Sequence, residues 1–175
     1  MTPHATQTPA AGTFVFADLA GFTALTARWG DDIAAEVAMA LADAARRLAS
    51  ECDATLVKSM GDSVMLRAAS PAGGVRLGIG IAEAAPALRA RVGIHAGTAV
   101  ERGGDWFGLA VNLAARLSAQ AAPGEVLVSE PTWRAAGMSG CGAPARAVPL
   151  GPWVLGDAPD PVEVLTLATP CGRTA

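Results

Sequence analysis

The chain is short of lysine, histidine and cysteine, and each shortage narrows what it can be. Lys58 is the only lysine among 13 Lys and Arg side chains, and two histidines complete the basic set. Sixteen acidic residues outbalance them, giving a net charge of −3 and a pI near 5.3. That balance argues against a nucleic-acid partner, which needs a basic face, but leaves room for a small anionic ligand held by a few local cations. No stretch approaches the roughly 18 uncharged apolar residues of a membrane span. The helical run over residues 33–48 is broken by Glu36, Asp43, Arg46 and Arg47. Residues 1–12 have neither a basic start nor an apolar core, so they are no signal peptide and are expected to form a disordered tail. Cys52, Cys141 and Cys171 are odd in number and lack a Cys-x-x-Cys spacing, which points to reduced thiols in a cytoplasm.

What remains is a 175-residue chain that is 51% hydrophobic, much of it alanine, and long enough to bury one real core. A single domain is expected over residues 13–168, followed by a tail over 169–175. Thr13-Phe14-Val15-Phe16-Ala17-Asp18 reads as a strand ending on a carboxylate, and Ala20-Gly21-Phe22-Thr23 turns into a helix. Gly30-Asp31-Asp32 caps a second helix to about Ala49, with Ile33, Val37, Ala40, Leu41, Ala44, Ala45 and Leu48 on one stripe. Residues 54–60 and 63–68 form a hairpin around Gly61-Asp62. A third helix runs from Pro71 to about Leu88, its Gly78 and Gly80 explained by close packing on a sheet.

Residues 91–97 make the next strand and 98–104 a polar connection. A helix over 108–120, a strand over 125–129 and a short helix over 131–136 follow, with last strands over 145–148 and 162–167. This order predicts an α+β fold: a ferredoxin-like βαββαβ core sandwich with extra C-terminal strands, its helices on one face of a mainly antiparallel sheet.

Several polar residues stand out. Lys58 lies in Val57-Lys58-Ser59-Met60-Gly61-Asp62. A slim ammonium suits a tight pocket that reads one acceptor atom, although a chance survivor at a strand end fits as well. Asp18 ends the first strand and Asp62 tips the hairpin beside it, so the two can meet as a hard, oxygen-rich site for Mg²⁺. Turn-making and helix capping are the plainer uses of such aspartates. Gly21, Phe22 and Thr23 open a helix whose free N–H groups can hold an anion. Asn112 and Arg116 are spaced i, i+4 and share a helix face. The arginine can offset charge in phosphoryl transfer and the amide can orient a sugar, or both are simply the wet side of the helix. His95, between Ile94 and Ala96, reads as a hydrogen-bonded structural residue, and the four tryptophans as core or interface anchors.

Together these stretches resemble the class III nucleotidyl cyclase catalytic domain across residues 13–167. The resemblance is carried by Phe16-Ala17-Asp18-Leu19-Ala20-Gly21-Phe22-Thr23, Lys58-Ser59-Met60-Gly61-Asp62-Ser63-Val64-Met65, Arg91-Val92-Gly93-Ile94-His95-Ala96-Gly97 and Val111-Asn112-Leu113-Ala114-Ala115-Arg116. Pro123-Gly124-Glu125-Val126-Leu127-Val128-Ser129 and Pro161-Val162-Glu163-Val164 are similar to the family's later strands. It implies cyclisation of ATP to 3′,5′-cyclic AMP and pyrophosphate, with two Mg²⁺ or Mn²⁺ ions on Asp18 and Asp62. Lys58 and Asp105 would read adenine, which offers an acceptor at N1 and a donor at N6. Guanylate cyclases carry Glu and Cys-type residues at those two positions. Asn112 matches the ribose-orienting residue, Arg116 the transition-state arginine and Arg91 an arginine in contact with phosphate.

In the family, sites form between two domains. One copy supplies the metal aspartates, and the other supplies the residues matching Lys58, Asp105, Asn112 and Arg116. One chain carrying both sets implies a symmetric homodimer with two shared sites. From the charge balance and the lack of an apolar span, neither nucleic acid nor membrane is expected as a partner. The short 98–104 link resembles the subgroup without a long dimerisation arm. The family's Leu-Lys-Gly near the C-terminus is Val154-Leu155-Gly156-Asp157 here, without a cation. That departure keeps a silent, nucleotide-binding cyclase-like domain as an alternative, with guanylate cyclase as another. Gly103-Gly104-Asp105-Trp106-Phe107 also resembles the GGDEF turn of diguanylate cyclases, but Trp106 replaces its second acid and a helix is expected where a strand should follow.

Overall fold

The computed structural model describes residues 8–84, 89–138, 144–156 and 158–168. Thirteen elements follow one another along the described residues: β1 (Ala10–Leu19), α1 (Phe22–Trp29), α2 (Asp31–Glu51), β2 (Ala54–Met60), β3 (Ser63–Ala68), α3 (Pro71–Ala84) and β4 (Ala90–Arg102), then β5 (Asp105–Phe107), α4 (Leu109–Gln120), β6 (Val126–Ser129), α5 (Glu130–Ala136), β7 (Arg146–Trp153) and β8 (Val162–Ala168). The sheet order is β2-β3-β1-β4-β6-β8-β7, with β5 paired to β4 off that path. Its first four strands are antiparallel neighbours in the ferredoxin-like arrangement, and β4–β6 is a parallel pair.

Three expectations need correction. β1 already begins at Ala10, because Ala10–Gly12 continue the ladder with Gly97–Ala99; only residues 1–7 of the expected tail lie outside the described residues, as do 169–175 and the end of the third helix. The supposed connection over 98–104 is largely strand, since β4 runs to Arg102. There Gly103 and Gly104, at φ 60° and 81°, turn it back into β5. Two successive left-handed residues suit a tight hairpin turn. A strand therefore does follow the Gly-Gly turn.

The third correction concerns the layers, because helices cover both faces of the sheet. β1 is apolar on both sides. Val15, Ala17 and Leu19 pack with α2, α3 and α5, whereas Phe14 and Phe16 pack with Ala110, Val111 and Ala114 of α4. A strand with large apolar side chains at successive positions cannot leave either face wet. Gly93 lets α4 come this close: a Cβ there would lie 2.1 Å from the Ser118 nitrogen and 2.3 Å from the Ala114 oxygen. Gly78 of α3 answers the packing expectation, facing Ile94 on the sheet, but Gly80 faces Leu48 of α2 instead.

The buried stripe of α2 is Ala34, Leu41, Ala42, Ala45 and Ala49, rotated from the expected one so that Ile33 is exposed. No helix among the described residues is long and apolar enough to cross a membrane.

Candidate active site

β1 and its two neighbours bring the first polar group together. Asp18 lies opposite Ser63 of β3 and Arg91 of β4, and the Leu19 N–H donates to the Asp62 carbonyl at 3.1 Å. Arg91 forms an ion pair with Asp18, and its buried Nε has no partner among the described residues. Burial, then the Asp18 carboxylate, pushes the Asp62 carboxyl above the usual carboxylate range, with Arg91 opposing. The two aspartates thus crowd each other at one end of the sheet.

This crowding fits a divalent cation, which relieves repulsion between paired carboxylates and prefers hard oxygen ligands. Among the described residues no cluster of three or more His, Cys, Asp or Glu exists, so these two carboxylates would be a partial ligand set. Beside this group Gly21, in the left-handed region at φ 76°, opens α1 without a side-chain cap. The first-turn amides of Phe22 and Thr23 have no intrahelical acceptors, which makes this helix start receptive to phosphate.

A second group forms on the same face as Asp18. The register slips between Leu56 and Lys58, so Lys58 faces Met65, whose side chain joins Phe14 on the α4 side. An unbroken strand would have placed it opposite Val64, on the other face. The bulge therefore aims the ammonium. Lys58 Nζ donates to Asp105 Oδ2 at 2.5 Å, and the Trp106 N–H donates to Asp105 Oδ1 at 2.8 Å. The Lys58 hydrogen bond, then the Trp106 amide, holds the Asp105 carboxyl below the usual range. One cationic donor and one anionic acceptor are presented side by side.

Asn112 is exposed and Arg116 half-buried on α4, whose opposite side buries Val111, Leu113, Ala114 and Leu117. The Arg116 guanidinium packs on Gly156, where an added Cβ would lie 1.4 Å from Nη1. The segment that lacks a cation of its own thus has an arginine against it.

Within one chain Asp18 pairs with Arg91 and Lys58 with Asp105, while Arg116 lies against Gly156. His95 Nδ1 shares a 2.8 Å hydrogen bond with Ser129 Oγ, the structural role expected of it, and burial lowers its pKa. Among the tryptophans Trp133 is buried, whereas Trp29 is 61% exposed and is no core anchor. A groove of about 540 Å³ between α1, α2 and the hairpin tip touches Phe22, Met39 and Gly61 and carries Asp31 and Asp43, but Asp18, Asp62 and Lys58 do not line it. Sequence reading missed Arg67, whose guanidinium stacks on Trp106. An arginine inside the apolar strand Ser63–Ala68 was the available signal.

Comparison with known proteins identifies the family. Residues 5–141 match the adenylate and guanylate cyclase catalytic domain, and the chain belongs to that family. It is 38% identical over 132 residues to the pH-sensitive adenylate cyclase of Mycobacterium tuberculosis, covering 71% of this chain and 32% of that protein. An adenylate cyclase of Streptomyces griseus is 40% identical over 119 residues, covering 65% of this chain and 29% of that one. The adenylyl cyclase CyaB of Pseudomonas aeruginosa superposes with a TM-score of 0.81 at 19% identity, covering 98% of this chain and 100% of that one, a likeness of fold. The chain spans about a third of the length of the curated relatives it matches.

Proposed function

We propose that this chain is the catalytic part of an adenylate cyclase, converting ATP to 3′,5′-cyclic AMP and pyrophosphate at sites shared by two copies. The observation that carries the reading is the Lys58–Asp105 pair, which lies on the same sheet face as Asp18. In this reading Lys58 donates to adenine N1 and Asp105 accepts from the N6 amino group. Guanine presents the opposite polarity at those two positions, which disfavours the guanylate alternative.

Asp18 and Asp62 would hold Mg²⁺ or Mn²⁺, which when bound supplies activation of the ribose 3′-oxygen and neutralises triphosphate charge. The amides of Phe22 and Thr23 and the Arg91 guanidinium receive the phosphates. Asn112 orients the ribose so that the 3′-oxygen attacks the α-phosphorus in line. A P–O bond to that oxygen forms as the bond to pyrophosphate breaks, the 3′-hydroxyl proton passes to solvent, and Arg116 offsets the charge that gathers on the α-phosphate. One chain carries both residue sets, so two copies would complete two equivalent sites between them. A cytoplasmic setting, where ATP is held, belongs to the same reading.

Complementation tests this directly. Asp18→Asn and Asn112→Ala chains are each expected to be inactive alone with ATP and Mg²⁺ or Mn²⁺. Mixed in equal amounts, they should recover roughly a quarter of wild-type activity, since half of randomly paired dimers hold one intact site of two. No cyclic AMP from the mixture, with wild-type protein active, would remove the shared site. No product from wild-type protein, with nucleotide still bound, would favour the silent alternative.

A further inference from the structure

Arg67 has no part in the constellation above, yet it is built into the wall behind Asp105. It stands in β3 directly across from Phe14 of β1, on the face that carries Lys58. Its guanidinium lies 4.4 Å from the centroid of the Trp106 ring, and Phe14 lies 5.9 Å from that ring at a tilt of 54°. One Nη donates to the Ala11 carbonyl of β1 at 2.6 Å. Only a residue without a side chain leaves room for this path: a Cβ on Gly12 would sit 2.7 Å from Arg67 Nε. That Nε is buried without a partner among the described residues. An arginine serving only solubility would extend into water rather than leave a donor unsatisfied.

From this geometry we infer that Arg67 is the positioning residue of the base-reading wall, acting through Trp106. β5 is three residues long and, among the described residues, pairs in the sheet with β4 alone; the Lys58–Asp105 ion pair and the packing of Trp106 fix its other side. The Trp106 indole packs on Arg67 and Phe14, and the main-chain N–H of Trp106 donates to Asp105 Oδ1. A planar cation can stack on the ring and still bond the Ala11 carbonyl, which a lysine cannot do with the same geometry. Arg67 thereby sets where Asp105 meets Lys58 and how well the pair fits a purine edge. The inference rests on the base-reading role of Lys58 and Asp105.

The test measures kcat and KM for ATP and GTP in wild-type, Arg67→Met, Arg67→Lys and Lys58→Met proteins, with thermal unfolding as a fold control. Arg67→Met keeps the stem and removes the fork. KM for ATP is expected to rise about tenfold with kcat within about twofold, as when binding common to ground and transition states is lost. The ATP-to-GTP ratio of kcat/KM should fall, with Arg67→Lys part-way between. If Arg67→Met does not fold, Arg67→Lys is read alone by the same criterion. A shifted ratio in Lys58→Met with wild-type constants in the Arg67 variants overturns the positioning role alone. An unshifted ratio in Lys58→Met removes the base-reading role and this inference with it.

Discussion

Lys58 and Asp105 are 47 positions apart in sequence and 2.5 Å apart in space. Two irregularities of the backbone bring them together: the bulge in β2 and the Gly103-Gly104 turn that folds β5 back. Neither residue is deeply buried, and the Lys58 hydrogen bond, then the Trp106 amide, lowers the Asp105 pKa. A pair this exposed adds little to stability.

Replacing both members by their guanylate-type counterparts, Lys58→Glu with Asp105→Cys, should move preference from ATP towards GTP. A site built to hydrogen-bond one base edge leaves polar groups unpaired against the other, so the ratio of kcat/KM values should change by at least about tenfold. Parallel initial-rate measurements with the two nucleotides check this, and an unaltered ratio would refute the base-reading roles.

Asp18→Asn is expected to reduce cyclic AMP formation to background while leaving the fold intact. The change removes a charge that pairs with Arg91 at a partly exposed position, a contribution of less than about 1 kcal/mol. Addition of Mn²⁺ or Mg²⁺ with a non-hydrolysable ATP analogue should raise the unfolding midpoint of wild-type protein and not that of the variant. Full activity in Asp18→Asn would sink the metal assignment.

The sequence made some of this legible and hid the rest for identifiable reasons. β1, the β2–β3 hairpin and the neighbourhood of Asp18 and Asp62 followed from β-branched runs and a Gly-Asp turn, because those signals are local. The face of Lys58 was hidden, since one inserted residue in β2 reverses the alternation on which any such assignment relies. The second helical layer was legible only in hindsight from Phe14 and Phe16, whose bulk requires cover. The length of β4 was obscured by Thr98, Glu101 and Arg102. Their polarity reads as a loop, but it fits a strand end that is mostly exposed.

His95 should make stability pH-dependent. Burial lowers its folded pKa below the unfolded value, near 6.5, so the unfolded chain binds more protons as pH falls. Its contribution to stability is complete above that value and declines on acidification, down to the folded pKa. Urea unfolding at pH 7.5 and 5.5 should show a smaller loss for His95→Gln than for wild-type protein. An equal loss in both would assign the acid sensitivity to other groups.

Gly93 and Gly80 give opposite expectations for the same substitution. A methyl at Gly93 meets the Ser118 nitrogen, the Ala114 oxygen and the Leu117 carbonyl carbon, the last at 2.8 Å, and all three are backbone atoms of α4. They cannot move aside singly, so the whole helix must shift away from β4. Overpacking of this kind costs on the order of 1–3 kcal/mol. Asn112 and Arg116 ride on that helix, so activity should fall further than stability alone explains. A methyl at Gly80 meets only the end of the Leu48 side chain at 3.2 Å, which can change rotamer. There the gain in helix propensity, about 1 kcal/mol, should offset the crowding. Gly93→Ala is therefore expected to lower the urea midpoint and nearly abolish turnover, while Gly80→Ala leaves both near wild type or slightly raises the midpoint. Equal behaviour of the two variants would show that α4 does not rest on β4 in the way that holds Asn112 and Arg116 in place.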